Sequence, residues 1–185
     1  EDMWVTPGAM PNGLQAAEDG LWVIDQADNH LYKLDYDDGS VLVDLPTETY
    51  KSSGVTLGNG YIWVASTHNY RTYKLANDGS TVAFYEPPRT DEREPQAIGR
   101  DNPRPHGMEW VDGKLWVSVK PANRNYLLDP ETMEVLHSIK TPGPSPHGLA
   151  WDGEALWCAD RETAVIHRQD PETGEVLDEV AVPDP

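Results

Sequence analysis

An all-β chain of four four-stranded blades round one axis is predicted by three observations. The first is a phrase written four times: a Gly, an apolar residue and, nine positions after the Gly, a Trp. Its copies run from Gly13 to Trp22, Gly54 to Trp63, Gly107 to Trp116 and Gly148 to Trp157. The second is what surrounds each Trp. Leu21, Ile62, Leu115 and Leu156 precede it, and Tyr32, Tyr73, Tyr126 and His167 follow ten positions later. The third is the repeat length. The Trp-to-Trp intervals are 41, 53 and 41, filled with short strand-like runs and Gly-containing turns, which is the pattern of propeller blades. The expected fold is therefore a β-propeller of four four-stranded blades, or half of a larger ring. It forms one domain over 1–185, with blades at about 11–46, 52–86, 105–141 and 146–183.

Taken in order, Met3 to Thr6 reads as the end of an outer strand. Thr6-Pro7-Gly8-Ala9-Met10-Pro11-Asn12-Gly13 has the spacing of Thr141-Pro142-Gly143-Pro144-Ser145-Pro146-His147-Gly148, which joins one blade to the next. That outer strand therefore belongs to a blade that is not in this chain. In blade one, Gly13–Ala17, Leu21–Asp25, His30–Tyr36 and Val41–Leu45 are the expected strands, with an Asp19-Gly20 hairpin and an Asp38-Gly39 turn between them. Blade two places strands at Val55–Leu57, Tyr61–Ser66, Thr72–Ala76 and Thr81–Tyr85. Blade three places them at Met108–Val111, Leu115–Val119, Asn125–Asp129 and Val135–Ile139. Blade four places them at Leu149–Trp151, Ala155–Ala159, Val165–Asp170 and Val176–Val182. Apolar alternation is blurred, as expected of sheets that pack on both faces. No segment has a helical period.

The insertion at 87–104 accounts for the long interval. Pro87, Pro88, Pro95 and Pro103 make it a loop, and it holds four of the eight Arg residues. A disordered linker, or a lid or partner contact over one face, are the two readings. The net charge is −18 and the pI near 4.5, which opposes binding to nucleic acid and to anionic membranes. No run is long and apolar enough to span a membrane. Cys158 is the only cysteine, which excludes an intramolecular disulfide. A start at Glu1-Asp2 fits a processed product, compatible with an extracellular or periplasmic setting.

A propeller delivers equivalent residues of each blade to one face near the axis. The residues before each repeat Gly are Asn12, Ser53, His106 and His147, and those leaving the second strands include Asp25, Ser66 and Asp160. His68, Lys120 and Arg161 lie in the adjoining loops. Two His with carboxylates and amides can do acid–base work or bind a divalent cation such as Mg or Ca. His106 and His147 are the candidate catalytic residues. Asn12, Ser53, Asp25, Ser66, His68, Lys120 and Arg161 are the candidate ligand contacts. His106, His147, Glu109 and Asp160 are the candidate metal ligands. Pro-His-Gly also serves as turn chemistry, and Asp25 and Asp160 also suit loop caps.

The phrases Pro146-His147-Gly148-Leu149-Ala150-Trp151-Asp152-Gly153 and Asp170-Pro171-Glu172-Thr173-Gly174-Glu175-Val176-Leu177 resemble the broad non-WD propeller group. It includes the streptogramin (virginiamycin B) lyases, gluconolactonase-like calcium propellers, plant-type glutaminyl cyclases and NHL-repeat proteins, most of them with five to seven blades. The lyase resemblance implies paired His and a Glu near an axial magnesium. His106 and His147 match the pair, with Glu109 and Glu162 as candidates for the Glu. Two functions follow as expectations: a small-molecule hydrolase or lyase with an axial metal, or a non-catalytic module binding a protein or peptide on the same face. An open stack of four blades would leave two flat faces uncovered, and a second copy covering both would make a homodimer.

Overall fold

The computed structural model describes residues 4–89 and 102–182. It contains sixteen strands in four antiparallel four-stranded sheets, and no helix among the described residues. Blade one is β1 (Pro11–Ala17), β2 (Gly20–Asp25), β3 (His30–Leu34) and β4 (Val41–Pro46). Blade two is β5 (Gly54–Gly58), β6 (Tyr61–Ser66), β7 (Arg71–Leu75) and β8 (Thr81–Tyr85). Blade three is β9 (Arg104–Val111), β10 (Lys114–Lys120), β11 (Arg124–Leu128) and β12 (Val135–Lys140). Blade four is β13 (Pro146–Trp151), β14 (Leu156–Asp160), β15 (Val165–Gln169) and β16 (Val176–Ala181). Each sheet runs in sequence order from the axis outwards, so the four sheets make a four-bladed β-propeller. Residues 90–101 of the insertion lie outside the described residues, whereas Arg104, expected in that loop, opens β9 opposite Lys120.

The repeat phrase has a mechanical meaning. The innermost strands β1, β5, β9 and β13 pack side by side in that order. A Cβ at Gly13 would lie 2.8 Å from the Ser53 carbonyl oxygen, one at Gly54 2.1 Å from that of His106, and one at Gly107 2.3 Å from that of His147. Only Gly lets the next blade come so close. Gly148 is exposed and meets only the Ala159 Cβ, 4.0 Å away, because no blade among the described residues packs against it.

The Trp residues face the same way. Trp22 packs with Val55, Ile62, Val64 and Tyr73 of blade two. Trp63 packs with Leu115, Val117 and Tyr126 of blade three. Trp116 packs with Leu149, Leu156 and Cys158 of blade four. Their exposures are 9%, 0% and 3%. Trp157, expected to be a buried equivalent, is partly exposed, and its indole N–H donates to Asp152 Oδ2 at 2.9 Å. There are thus three interblade cores for four blades, and the described propeller is an open arc.

The opposite end of the arc is partly covered. Val23, Tyr32 and Leu34 of blade one pack with Trp4. Gly39 has a φ of 71°, and a Cβ there would lie 2.4 Å from Trp4. The corresponding neighbour of Gly174 is Ile139 of β12, and that of Gly79 is Leu45 of β4. Trp4 therefore stands where the outer strand of a preceding blade would stand. Trp4 to Thr6 is nonetheless not a strand, contrary to expectation, and Met3 lies outside the described residues.

Candidate functional site

The connections into β1, β5, β9 and β13 and the loops leaving β2, β6, β10 and β14 surround a cavity of about 740 Å³ at the axis. Two rings of equivalent residues line it. One is Asn12, Ser53, His106 and His147, each directly before a repeat Gly. The other is Gln26, Thr67, Lys120 and Arg161, each one residue beyond the expected rim position. His68, Arg104, Asn123, Ser145 and Glu162 complete much of the wall. The polarity is divided by blade. Blades one and two supply amides and hydroxyls from their rings, and blades three and four supply the imidazoles and cations.

His106 and His147 come together, with ring centroids 4.9 Å apart and planes tilted by 52°. The Nδ1 of His106 is buried without a hydrogen-bond partner. Burial, and then the nearby Lys120 ammonium, hold the His106 imidazole down to about 2. Burial, Lys120 and Arg161 hold His147 down to about 4. Both rings are therefore neutral at pH 7, and the burial and cations that keep them so also make them weaker bases than a free imidazole, His147 less so than His106. Burial also lowers the pKa of Lys120, whose ammonium donates to Ser145 Oγ at 2.9 Å. The hydroxyls of Ser53 and Thr67 are hydrogen-bonded to each other, and that of Thr67 donates to the Pro105 carbonyl at 2.8 Å.

Several expected contacts lie elsewhere. Asp25 is fully buried. It accepts from the amides of Met10 at 2.6 Å, Ala27 at 2.7 Å and Asp28 at 3.2 Å. Asp160 accepts from Ser145 N at 2.6 Å, Glu162 N at 3.0 Å and Thr163 N at 2.9 Å. Burial would raise the Asp160 pKa, but these amides hold it below the usual carboxylate range. Both carboxylates cap loops and neither lines the cavity. Ser66 is buried, accepting from Tyr50 N at 2.7 Å. Glu109 lies opposite Trp116 in the sheet, away from the cavity wall, and burial raises its carboxyl to about 7. Asn12, Ser53, His68, Lys120, Arg161 and both His do line it, and Glu162 is at its rim. Sequence reasoning missed Gln26, Thr67 and Arg104 as lining residues. The first two were legible only as the positions after strand ends that were themselves chosen.

Cys158 is buried, and burial raises its thiol to about 11, which removes it as a nucleophile. Among the described residues no three His, Cys, Asp or Glu side chains stand close enough to share one ion. Mg and Ca are hard cations that take oxygen ligands. Two imidazoles bordered by Arg104, Lys120 and Arg161, with Glu162 the one carboxylate on the wall but not grouped with the two His, and with Glu109 and Asp160 turned elsewhere, do not fit a resident Mg or Ca ion.

No protein-family description matches the sequence, and no curated protein matches it. Solved structures do match. The glutaminyl cyclase of Myxococcus xanthus is 10% identical with a TM-score of 0.74, over 94% of this chain and 71% of that one. A streptogramin B lyase is 20% identical with a TM-score of 0.63, over 97% and 57%. A putative 6-phosphogluconolactonase from Bacteroides uniformis is 14% identical with a TM-score of 0.61, over 91% and 56%. The chain thus spans just over half the length of the lyase and the lactonase. At these identities the likeness establishes the propeller fold, shared with the cyclase, lyase and lactonase-type propellers of the non-WD group.

Proposed function

We propose that the chain is, or is part of, a small-molecule hydrolase or lyase whose reaction occurs in the axial cavity. The observation that carries this reading is the paired His106 and His147 in a concave polar site, with rings 4.9 Å apart. A neutral imidazole removes a proton, from water in a hydrolysis or from carbon in an elimination. In the first case the hydroxide formed adds to a carbonyl and the ester or lactone C–O bond breaks, the imidazolium returning its proton to the departing oxygen. In the second the C–H electron pair forms a double bond as the leaving group departs. The Lys120 and Arg161 cations border the rings and would stabilise the negative charge that develops on oxygen. The solved neighbours named as a glutaminyl cyclase, a streptogramin B lyase and a putative 6-phosphogluconolactonase are in keeping with an enzymatic role for this fold.

The alternative, a protein- or peptide-binding face, would draw support from exposed apolar residues at the rim. Most of the large exposed apolar side chains, among them Val41, Leu42, Val82, Phe84, Val135, Leu136, Val176 and Leu177, instead lie on the outermost strands β4, β8, β12 and β16. The test is turnover of a panel of lactones and cyclic esters by wild type and His147→Ala. The variant should lose about 10²- to 10⁴-fold in kcat with an unchanged melting temperature. Equal turnover by the two proteins, or none by either, would overturn the reading. Metal analysis of the same two proteins separates a metal-assisted version: an ion kept by wild type and lost by His147→Ala would reinstate the cation as cofactor.

A further inference from the structure

Within a chain of net charge −18, the axial cavity collects three basic side chains, Arg104, Lys120 and Arg161, against one carboxylate, Glu162. Arg104 and Lys120 face each other across the β9–β10 hairpin of blade three, and the packing of blade four adds Arg161. Among the described residues neither Arg104 nor Arg161 has a carboxylate within ion-pair distance. Arg104 lies over the Tyr70 ring at 5.4 Å, and Lys120 is held by the hydroxyl of Ser145. Asp160 stands behind the wall, where backbone amides occupy its oxygens, and its charge acts from there on Lys120 and His147. Elsewhere several cations are neutralised, Lys33 by Asp19, Lys114 by Asp129, and Arg168 by Asp152 and Glu154, while Lys51, Arg71 and Lys74 lie singly over aromatic rings. The opposite wall, with Asn12 and Gln26, carries no charge and offers both donors and acceptors.

We propose that the cavity selects a small molecule carrying a carboxylate or phosphate group, which seats against Arg104, Lys120 and Arg161 while its neutral hydroxylated or amide portion meets Asn12 and Gln26. This rests on reading the cavity as a small-molecule site and adds the charge of its ligand. The Arg side chains offer forked donors matched to carboxylate and phosphate oxygens, and the concave wall limits competing water. The net charge of −18 disfavours anions over the surface at large, so three cations on one concave wall mark the cavity as a favourable place for an anion to dock.

The experiment is calorimetric titration of the whole chain with inorganic phosphate and with gluconate, at an ionic strength fixed by chloride. Saturable binding at one site per chain is expected for at least one of the two. Arg161→Gln and Lys120→Gln should each weaken it about tenfold. Lys114→Gln, the same loss of charge outside the cavity, should leave it unchanged. Response to phosphate alone identifies a phosphate ester as the ligand class, and response to gluconate alone a carboxylate. No saturable binding of either, or equal weakening by Lys114→Gln, overturns the inference. Anion binding without turnover of any lactone would leave it standing while removing the enzymatic reading. Turnover of neutral lactones with no anion response would do the reverse.

Discussion

Trp63 and Trp157 occupy the same position of the same repeat, and replacing each with Ala should have very different costs. Trp63 is 0% exposed. It stacks with Trp110 at 6.1 Å and Tyr85 at 6.3 Å, and Lys74 lies 5.3 Å from its ring. Burying an indole of ~200 Å² contributes ~5 kcal/mol at 25 cal/mol per Å². Loss of the aromatic contacts adds to this and partial collapse of the cavity subtracts, so the expected cost is about 4 kcal/mol. Trp157 faces the side of blade four on which no blade is described. It would lose its hydrogen bond to Asp152 and part of its buried area, about 1–2 kcal/mol. Urea denaturation followed by far-ultraviolet circular dichroism reads both, because tryptophan emission changes with the substitution itself. The slope should be the same in both variants and the midpoint should fall much further for Trp63→Ala. Equal costs would mean that Trp157 is as well packed as Trp63, and the open arc would be wrong.

Three further outcomes are expected. Gly107→Ala drives a methyl to within 2.3 Å of the His147 carbonyl and should cost about 1–3 kcal/mol, whereas Gly148→Ala meets nothing close and should stay within about 0.5 kcal/mol; thermal melts of the pair check this. Glu109 has its folded pKa raised from 4.5 to about 7, so between those values the folded state holds a proton that the unfolded state has lost, and its contribution to stability falls as pH rises. Glu109→Gln should therefore stabilise by about 1–2 kcal/mol at pH 8, allowing for partial exposure, and do nothing at pH 4; a gain at both pH values would rule out this cause. Self-association through blade one requires Trp4 to leave its place beside Gly39, so Trp4→Ala should favour a dimer in light scattering. A mass of one 20.6 kDa chain for wild type and variant alike would reject dimer formation through that face.

The sequence by itself determined the blades. The Gly-to-Trp phrase and the turn glycines act within a single hairpin or between neighbours, and seven turn Gly do take positive φ. It also determined that Asn12, Ser53, His106 and His147 converge, since equivalent positions of a repeat must reach the same distance from the axis. Which residue beyond each second strand faces the cavity was not legible. Side chains alternate along a strand, and irregular pairing at Pro11/Gly13, Val117/Val119 and Pro146/Leu149 shifts that alternation by a residue. Asp25 and Asp160 consequently turn to cap loops, while Gln26 and Arg161 face inwards. The division of the cavity into a neutral and a cationic half was likewise hidden, because Arg104 and Arg161 are 57 residues apart and only the packing of blade three on blade four joins them. The sequence raised an open stack through the spare strand end before blade one, and the interblade packing decided it. A Trp or a Gly reads the same in every repeat, and only the presence or absence of the next blade makes it buried or exposed.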